Sequence, residues 1–381
     1  MSSSQPEVTI ILGTRPEIVK LAPVIRECET RNLPYTLFHT GQHYSEELDE
    51  VFFDQLELPT PDYNLQVGSK SHGQQTADMI AGIEEILLEE SPDIVLVQGD
   101  TNSALAGAIA VSKLDIELGH VEAGLRSFDR EMPEETNRVL ADHVADYMFA
   151  PTEESAELLS EEGRPEDDIF ITGNPIVDSV HQNTTLSHEK SSILSELDVA
   201  PEEFVLMTAH RAENVDDAAR FKEILNGISE FAAEKGFEVL YPIHPRAEDR
   251  LESFDLTVPS EIQQIQSQDF LDFLRLEATA ALVITDSGGV QEETCILGTP
   301  CVTVRDSTER PETLTVGSNI LIGTDRSAII EGATEMLNCE SSWQNPFGDG
   351  NAAEHILDIL QFGSLQNDKP FQPPREDTFT E

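Results

Sequence analysis

Residues 284–300 have the sequence ITDSGGVQEETCILGTP, in which a short apolar run leads into Asp-Ser-Gly-Gly and a helix-like pattern follows. This order indicates a strand that passes through a tight turn directly into a helix. The first N–H groups of such a helix have no intrahelical acceptor and lie at the positive end of the helix dipole. The stretch therefore predicts an anion-binding turn, in which Ser287 caps the helix or donates to a ligand, and Gly288 and Gly289 let a phosphate approach the backbone.

Apolar runs on both sides of this stretch alternate with helix-like segments. The runs are short and continuous, as is typical of parallel strands that are buried on both faces. They form two series along the chain, namely residues 8–12, 35–40, 93–100, 117–124, 147–151 and 169–175, and then 204–210, 238–244, 281–286, 301–304 and 319–323. The alternation predicts an α/β protein with two doubly wound, Rossmann-like domains and a ligand-binding cleft between them.

The polar segment 181–200 interrupts this alternation, so we place the passage between the domains there. The predicted N-terminal domain covers residues 1–180 and is joined by a C-terminal helix at 352–363. The predicted second domain covers residues 181–351. Residues 364–381 are rich in proline and acidic residues, and we expect them to form a loose tail.

The composition limits the classes of function. The chain has 381 residues, of which 39% are hydrophobic, and this length fits about two domains. It has 23 Lys and Arg against 73 Asp and Glu, a formal net charge of −50 that is spread along the whole sequence. Such a surface indicates adaptation to high salt, with an acidic partner-binding surface as the alternative. Nucleic acid is disfavoured as a partner, because binding to a duplex requires Lys and Arg to neutralise phosphates.

The cysteines and the apolar runs bear on compartment and metal binding. The four cysteines form no C-x-x-C pair, so the sequence indicates neither a zinc site nor a redox motif. The start, MSSSQPE, lacks the basic region and apolar core of a secretory signal. No apolar run reaches the ~18 residues that a membrane span needs. We therefore expect a soluble, cytoplasmic protein without a membrane partner.

Polar motifs follow the predicted strands in both series. They are GTRPE (13–17), GDTNS (99–103), HVEAGLRS (120–127), HRAEN (210–214), HPRAE (244–248) and DSGG (286–289). Ligands of open α/β sheets bind at the carboxyl ends of strands, so these motifs predict a site lined from both domains. Arg15 and Lys20 flank a helix start and form a candidate diphosphate cradle, with solvated surface cations as the alternative. The sequence lacks GxGxxG and GxxxxGKS/T, which disfavours a nicotinamide enzyme and a P-loop NTPase.

Four acidic residues and one histidine are candidates for proton transfer. Asp100 ends an apolar run, and Glu122 lies between apolar and small residues. Glu134 and Glu135 lie at a predicted helix start, where a first-turn carboxylate is also an ordinary structural feature. Carboxylates that converge on one site raise one another's pKa and can form acid–base pairs. His210, at a strand end, is a candidate proton carrier or phosphate donor, with a structural role as the alternative.

The motifs also occur in a distinctive order along the chain. The segments are GTRPEIVKLAPVI, TGQHYS, QGDTNS, HVEAGLRS, MPEETNR, GNPIVDS, TAHRAEN, DSGGVQEE and RDSTERPE. From about residue 8 to about residue 360 the sequence resembles the non-hydrolysing UDP-N-acetylglucosamine 2-epimerase family. The resemblance implies a two-domain GT-B fold and interconversion of UDP-N-acetylglucosamine and UDP-N-acetylmannosamine without nicotinamide or metal. It also implies a homodimer and a place in polysaccharide biosynthesis.

The resemblance further implies which residues bind the nucleotide. UDP would be the anion of the opening stretch, with its diphosphate on Ser287, Gly288 and Gly289 and with Arg15 opposite. Glu293 would hold the ribose, although on its own it is better explained as a helix-face carboxylate. Phe273 would cover the uracil, although on its own it would be assigned to the core. The remaining matches to ligand contacts are Gln268 near the nucleotide, Arg310 at the phosphate or sugar, and Lys20 at another ligand contact.

The family's reaction is an elimination followed by its reversal. A carboxylate removes the C2 proton while UDP leaves C1, and the resulting glycal and UDP stay bound. UDP then returns to C1, and a proton is delivered to the opposite face of C2. Two faces require two proton-transfer groups, and the matching residues are Asp100, Glu122, Glu134 and His210. The sequence does not assign either face to one of them.

The chain departs from many bacterial members in two places. The spacer FDREM (128–132) is shorter than theirs, so Glu134 is the better match for the catalytic glutamate, while Glu135 remains an alternative. Many bacterial members also bind a second UDP-N-acetylglucosamine as an activator. Parts of that site match Gln42, Arg211 and His244, but Ser45 stands where a Gln is usual and residues 67–76 lack the usual Arg. Allosteric activation is therefore left open.

Four alternative functions remain at this stage. Within the family, the substrate could be a modified UDP-sugar of the diacetamido uronic acid type, or the enzyme could be a hydrolysing relative that releases N-acetylmannosamine and UDP. A GT-B glycosyltransferase shares the nucleotide site, but the carboxylates of the first domain argue against it. A non-catalytic nucleotide-sugar sensor would not need candidates for every proton-transfer role.

Overall fold

The computed structural model describes residues 5–42 and 46–363, with residues 46–50 described by their backbone alone. The predicted tail at 364–381 and Ser45 lie outside the described residues. The chain divides into two compact units. Unit 1 comprises Met1–Gln182 and Phe347–Glu381, and unit 2 comprises Asn183–Pro346.

Each unit is built on one parallel sheet. Unit 1 has seven strands in the order β3-β2-β1-β4-β5-β6-β7, and unit 2 has six in the order β10-β9-β8-β11-β12-β13. The strands are β1 (Val8–Leu12), β2 (Tyr35–His39), β3 (Tyr63–Asn64), β4 (Ile94–Gln98), β5 (Glu117–Val121), β6 (Tyr147–Ala150), β7 (Ile169–Ile171), β8 (Phe204–Met207), β9 (Glu238–Pro242), β10 (Ile262–Ile265), β11 (Leu282–Thr285), β12 (Cys301–Thr303) and β13 (Asn319–Leu321).

Helices connect consecutive strands in both units, as parallel pairing requires. They are α1 (Arg15–Arg31), α2 (Glu46–Gln55), α3 (His72–Glu90), α4 (Asn102–Val111), α5 (Pro133–Val144), α6 (Glu153–Glu161), α7 (Pro175–Lys190), α8 (Ile193–Glu196), α9 (Ala212–Val215), α10 (Ala218–Lys235), α11 (Pro245–Ser253), α12 (Phe270–Thr279), α13 (Gly288–Leu297), α14 (Pro311–Val316), α15 (Arg326–Leu337) and α16 (Ala352–Phe362). A short 3-10 helix covers Glu166–Asp168. None of the helices formed by the described residues is both long and apolar enough to span a membrane.

The strand order of each sheet reverses direction next to the first strand of its unit. In unit 1 the reversal lies between β1 and β4, and in unit 2 it lies between β8 and β11. The loops that leave these strands diverge to opposite faces of the sheet, which creates the usual ligand position of open α/β sheets. The motifs GTRPE and GDTNS therefore lie together in unit 1, and HRAEN and DSGG lie together in unit 2.

Small residues bring α4 close to the sheet of unit 1. This helix has the sequence NSALAGAIAV, and eight of its ten residues are buried. A Cβ added at Gly107 would lie 2.7 Å from Val97 Cγ1, so the helix approaches β4 more closely than a side chain would permit. Thr101 caps the helix by accepting a hydrogen bond from the backbone N–H of Ala104. The close packing and the cap fix the turn that carries Asp100.

The polar segment 181–200, where we placed the passage between the domains, contains the end of α7 and the division between the two units. Residues 181–190 are the second half of α7, so the polar pattern of 181–200 marks an exposed helix face rather than a linker throughout. The division falls after Gln182 rather than after 180. The return to unit 1 begins at Phe347, five residues before the predicted helix, and the Phe347 carbonyl accepts a hydrogen bond from the Asn174 N–H at 2.8 Å.

Candidate active site

Glu17 connects the two turns at the reversal point of the unit 1 sheet. Its carboxylate is fully buried and accepts hydrogen bonds from the Gly13 N–H at 3.0 Å and the Thr14 hydroxyl at 2.8 Å. Its second oxygen accepts from the Thr101 hydroxyl at 2.7 Å. Burial raises the pKa of Glu17 to about 7, and the hydrogen bonds oppose that rise. Glu17 therefore holds the turn bearing Arg15 against the turn bearing Asp100.

Glu122 occupies a buried position at the end of β5. Its carboxylate accepts hydrogen bonds from Lys20 Nζ at 2.7 Å, from Asn174 Nδ2 at 2.8 Å and from Gln98 Nε2. The residue has φ +64°, a conformation that costs free energy and is concentrated at functional sites. Three donors, one of them an ammonium group, favour the ionised carboxylate. Glu122 is thus held as a base, and Lys20 is positioned by it.

Asp100 follows β4 and meets α5. Its carboxylate pairs with the Arg138 guanidinium, while its backbone carbonyl accepts from Asn137 Nδ2 at 2.9 Å. The side chain of Asp100 is 35% exposed, which leaves part of the carboxylate open to a ligand.

The turns that carry Asp100 and Glu122 are adjacent. Gln98 pairs with Val121 across the two strands, and the Gly99 N–H donates to the Val121 carbonyl at 3.0 Å. A Cβ added at Gly99 would lie 3.6 Å from a Glu122 carboxylate oxygen, so Asp100 follows immediately after the residue that faces Glu122.

Glu134 and Glu135, at the start of α5, have different surroundings and therefore different roles. The buried Glu135 carboxylate accepts from the backbone N–H groups of Ser127 and Phe128 and from the Ser127 hydroxyl. These bonds hold the pKa of Glu135 below its usual value, although burial acts in the opposite direction. Glu135 thus anchors the loop before α5. Glu134 is half-buried, lies one turn before Arg138, and is the better candidate for proton transfer.

Arg15 contacts an aromatic ring rather than one of these carboxylates. The side chain is exposed, and its guanidinium lies 5.2 Å from the centre of the Phe52 ring. Such stacking holds the cation at the start of α1 without neutralising it.

Asp286 organises the reversal point of unit 2. Its buried carboxylate accepts from the backbone N–H groups of His210 and Arg211, each at 3.0 Å, and from Asn214 Nδ2 at 3.1 Å. His210 Nδ1 lies 3.2 Å from its other oxygen. Burial lowers the pKa of His210, while the Asp286 charge opposes that change. The ring is 38% exposed, so His210 is held in place and still accessible.

The DSGG turn has the features of an anion site. Ser287 is the N-cap residue of α13, but its side chain accepts no capping hydrogen bond from the described residues, so its hydroxyl stays available. Gly288 and Gly289 both begin the helix in helical conformation. Among the described residues, the heavy atoms nearest to an added Cβ lie 3.8 Å away at Gly288 and 4.0 Å away at Gly289. Neither backbone conformation nor crowding requires these glycines, which leaves close approach of a ligand as their explanation.

The other predicted nucleotide contacts lie on neighbouring elements of unit 2. Phe273 packs against the core cluster that includes Phe204 and Leu276, as the core assignment expects. The residue is only half-buried, so part of it stays exposed. Arg310 Nε lies 2.6 Å from a carboxylate oxygen of Glu292, and Gln268 Nε2 donates to a backbone carbonyl.

Glu293 lies on α13 and is half-buried. Its side chain hydrogen bonds with that of Glu277, a fully buried glutamate of α12, whose pKa is raised by burial and by Glu293. A protonated Glu277 can therefore donate to the Glu293 carboxylate and fix its direction.

The residues matched to the activator site fall into two groups. Gln42 Oε1 accepts from the backbone N–H of Ser103 at 2.9 Å and from its hydroxyl at 2.8 Å, so it supports the first turn of α4. The His244 and His210 rings lie 5.6 Å apart, and His244 also caps α11. Arg211 adjoins them. An activator role for Gln42, Arg211 and His244 stays a prediction.

Comparison with known proteins identifies the family. A family model described as UDP-N-acetylglucosamine 2-epimerase matches residues 26–361. The UDP-N-acetylglucosamine 2-epimerase of Methanocaldococcus jannaschii is 49% identical over 363 residues, which are 94% of this chain and 99% of that protein. The chain belongs to the UDP-N-acetylglucosamine 2-epimerase family. The family predicted from the order of motifs is thereby confirmed.

Solved structures support the fold of this family member. The crystal structure of the M. jannaschii UDP-GlcNAc 2-epimerase in complex with UDP-GlcNAc and UDP has a TM-score of 0.83 and covers 94% of this chain and 100% of that chain, at 49% identity. The predicted fold class, two parallel-sheet α/β domains of the GT-B-like type, is confirmed. A more distant relative, the UDP-2,3-diacetamido-2,3-dideoxy-D-glucuronate 2-epimerase of Pseudomonas aeruginosa, is 39% identical over 357 residues, 93% of this chain and 99% of that protein.

Several site residues of this family member were not found from sequence. They are the partners of the predicted groups: Glu17, Gln98, Arg138, Asn174 and Asp286. All five lie inside the quoted motifs. Gln98, Asn174 and Asp286 lie at or just after strand ends, where a polar residue was an available signal, whereas Glu17 and Arg138 lie on helices. No group of three or more His, Cys, Asp or Glu side chains in the described parts of the chain is arranged to hold a metal ion.

Proposed function

We propose that this protein is an isomerase that interconverts UDP-N-acetylglucosamine and UDP-N-acetylmannosamine at C2. The observation that carries the proposal is the pair of carboxylates, Asp100 and Glu122, on the adjacent turns that follow β4 and β5 in a member of this family. Glu122 is buried and favoured as the ionised form, as a group that removes a carbon-bound proton must be.

Unit 2 binds the nucleotide in this proposal. The open N–H groups of Gly288 and Gly289 and the hydroxyl of Ser287 receive the diphosphate. Glu293, oriented by Glu277, accepts hydrogen bonds from the ribose hydroxyls. The remaining assignments follow the family resemblance, with Phe273 on the uracil, Gln268 beside the nucleotide, and Arg310, Lys20 and Arg15 at the phosphates or sugar.

The reaction proceeds by elimination and re-addition of UDP. A carboxylate takes the C2 proton, the C–H electrons form the C1–C2 double bond, and the C1–O bond breaks so that UDP leaves with that electron pair. UDP then adds back to C1 of the glycal while a second group protonates C2 from the opposite face. Asp100, Glu122, Glu134 and His210 are the proposed proton-transfer residues. Glu135 is not proposed, because its oxygens are engaged by the loop before α5.

Deuterium exchange at C2 tests the reaction. The protein is incubated with UDP-N-acetylglucosamine in deuterium oxide at high salt, and C2 is followed by NMR. The proposal expects deuterium at C2 together with UDP-N-acetylmannosamine. Absence of exchange, or sugar transfer that appears only when an acceptor is added, would reject it. Release of free N-acetylmannosamine and UDP would assign the chain to the hydrolysing variant instead.

Two amide substitutions test the assigned residues. Asp100→Asn and Glu122→Gln should abolish exchange and leave UDP binding, measured by calorimetry, within a few-fold of the parent value. Glu117→Gln is a matched control, because Glu117 is an exposed glutamate at the opposite end of β5. Normal exchange in Glu122→Gln would remove Glu122 from the mechanism, and loss of folding in both variants would make the two residues structural.

The identity of the sugar is a separate part of the proposal. UDP-N-acetylglucosamine is favoured because the M. jannaschii relative is 49% identical, against 39% for the relative that acts on UDP-2,3-diacetamido-2,3-dideoxy-D-glucuronate. A comparison of kcat/KM for the two UDP-sugars decides between them. A higher value for the diacetamido uronate would replace the substrate and keep the reaction.

The proposal also covers the compartment, the salt adaptation and the oligomeric state of the enzyme. The four cysteines are free thiols, three of them buried, which supports a reducing, cytoplasmic compartment. The net charge of −50 supports a halophilic protein that does not bind nucleic acid. The family resemblance supports a homodimer, which light scattering at high salt would measure, and a place in polysaccharide biosynthesis.

A further inference from the structure

His120 is a buried histidine directly behind the proposed catalytic turns. It lies on β5, and its side chain has no exposed surface. Nδ1 lies 2.6 Å from an Asp142 carboxylate oxygen, and Nε2 lies 2.8 Å from the Gly99 carbonyl oxygen. A backbone carbonyl has no proton to give, and the carboxylate of Asp142 is surrounded by donors. Both ring nitrogens must therefore donate, which requires the imidazolium form.

The surroundings of Asp142 explain how a charge is tolerated there. Asp142 is fully buried, and its second oxygen accepts from Arg126 Nη1 at 2.6 Å and from the Gly124 N–H. Arg126 also pairs with Glu162 at 2.6 Å. Positive and negative groups thus alternate from His120 to Glu162, so the burial of each charge is compensated. Burial opposes the charge on His120, but Asp142 outweighs it and raises the pKa of His120 above its usual value.

The imidazolium acts on the catalytic turns in two ways. Its hydrogen bond holds the carbonyl of Gly99, whose φ of +68° makes the turn immediately before Asp100. The ring and the Glu122 carboxylate also both adjoin Gly99, and the negative charge of Glu122 contributes to the raised pKa of His120. The charged groups that face the ring are Asp142 from α5 and Glu122 from the end of β5, while β4 contributes the neutral Gly99 carbonyl.

We infer that His120 is a positioning residue that stays protonated throughout the working pH range, fixing the Gly99–Asp100 peptide and stabilising the ionised form of Glu122. The inference rests on the proposed epimerase function, because it concerns the two carboxylates assigned there. His120 does not exchange a proton with the substrate, since both of its N–H groups are occupied inside unit 1.

The charge state is measured independently of activity. Protein labelled with nitrogen-15 histidine is examined by NMR from about pH 6 to about pH 9, across the range in which ordinary histidines lose their charge. The His120 signal, assigned by its loss in His120→Asn, should show two protonated ring nitrogens and no titration. His143, exposed on the same helix as Asp142, supplies a second histidine signal for comparison. A neutral His120 ring at pH 8 would overturn the inference.

The functional effect is measured with Asp142→Asn. Asparagine keeps a hydrogen-bonding partner for Nδ1 but removes the negative charge, so His120 should lose its proton as the pH rises. The rate of C2 exchange should fall by about 10- to 100-fold, with the larger loss at higher pH, while UDP affinity stays unchanged. His143→Asn should match the parent protein. A pH profile of Asp142→Asn parallel to that of the parent would also overturn the inference, as would a C2-exchange rate within twofold of the parent.

The two measurements separate the inference from the function on which it rests. If the parent protein shows no C2 exchange, the epimerase proposal fails, whereas the NMR result still decides the charge of His120. If Asp142→Asn does not fold, His120→Asn supplies the rate measurement, with UDP affinity as the test that the unit 2 site is intact.

Discussion

The ionisation of Glu17 is directly coupled to the fold. It is fully buried between two turns, and its pKa of about 7 lies well above the ordinary value of 4.5 because of burial. The folded protein therefore binds the Glu17 proton more tightly than the unfolded chain does. Stability from this group is fully present at low pH and is lost as the pH rises from about 4.5 to about 7.

The variant Glu17→Gln should remove this dependence. Glutamine keeps the shape and the hydrogen-bonding capacity of a protonated glutamate, so the free energy of unfolding should no longer fall between pH 4.5 and 7. The parent protein should lose on the order of 3 kcal/mol over that window relative to the variant, because a tenfold change in proton affinity corresponds to about 1.4 kcal/mol. Urea unfolding at constant high salt measures it. Glu84→Gln, on the exposed face of α3, should track the parent; identical slopes for all three proteins would contradict the prediction.

The Lys20–Glu122 pair should separate stability from catalysis. Its side chains are only 15% and 3% exposed, so Lys20→Met withdraws the cation from a buried carboxylate. That change should cost about 3–5 kcal/mol, and the double variant Lys20→Met with Glu122→Gln should recover much of the stability but none of the C2 exchange. Lys113→Met, at an exposed lysine, is the control. Full stability of Lys20→Met alone would show that the two amide donors suffice to hold Glu122.

Among the elements, the start of α13 gives the sharpest test of the nucleotide site. Gly289 is helical and has open space around an added Cβ, so Gly289→Ala should fold and gain up to about 1 kcal/mol from helix propensity. The same methyl group would obstruct a diphosphate on the helix start, and UDP affinity should fall at least tenfold. Gly73→Ala, at an equally open glycine of α3, should keep UDP affinity. Unchanged UDP binding to Gly289→Ala would move the phosphate elsewhere.

The elements that sequence predicted are those with a strong local signal. The strand β4 has the apolar run IVLVQ and is buried along its whole length. By contrast, β10 has the sequence IQQI with two exposed glutamines at a sheet edge, and β3 has two residues, so neither shows a continuous apolar run. The polar second half of α7 lies in the segment interpreted as the passage between the domains, because its sequence has no apolar run.

The sequence predicted the site residues at the ends of strands and helices, but it did not predict the contacts between them. Each catalytic candidate stands at a strand or helix end, which local pattern identifies. The partners of Glu122 are 24 and 52 residues away in the chain, at Gln98 and Asn174, and only the sheet order brings them together. The same holds for Asp286 and His210, which are joined across the reversal point of unit 2. Local sequence cannot show such pairs, because the order and register of the strands in each sheet create them.

In the whole molecule, several of the few cationic side chains lie where an unpaired carboxylate would otherwise raise the free energy of the folded state. Arg31, Arg126, Arg138, Arg305 and Arg310 all pair with carboxylates while being largely buried. Exposed pairs such as Arg246 with Asp216 also occur, but 73 acidic residues outnumber 23 basic ones, so most of the acidic residues lack a cationic partner. The repulsion therefore acts mainly between surface carboxylates, where salt screens it, and only weakly inside the units, where salt does not reach.

The free energy of unfolding should consequently rise with salt concentration. Repulsion between surface carboxylates extends over about 8 Å at 0.15 M ionic strength and about 3 Å at 1 M, so most of the gain in KCl should come between these concentrations. Sucrose at equal osmolality excludes itself from the surface without screening charge, and it should stabilise the protein less. Replacing the exposed Glu84, Glu85 and Glu89 of α3 by lysine should flatten the salt dependence, because each exchange replaces a negative charge by a positive one. A free energy of unfolding that is constant from low to high KCl would mean that repulsion between surface carboxylates does not lower the stability of the folded state. The acidic surface would then be explained by a binding partner instead.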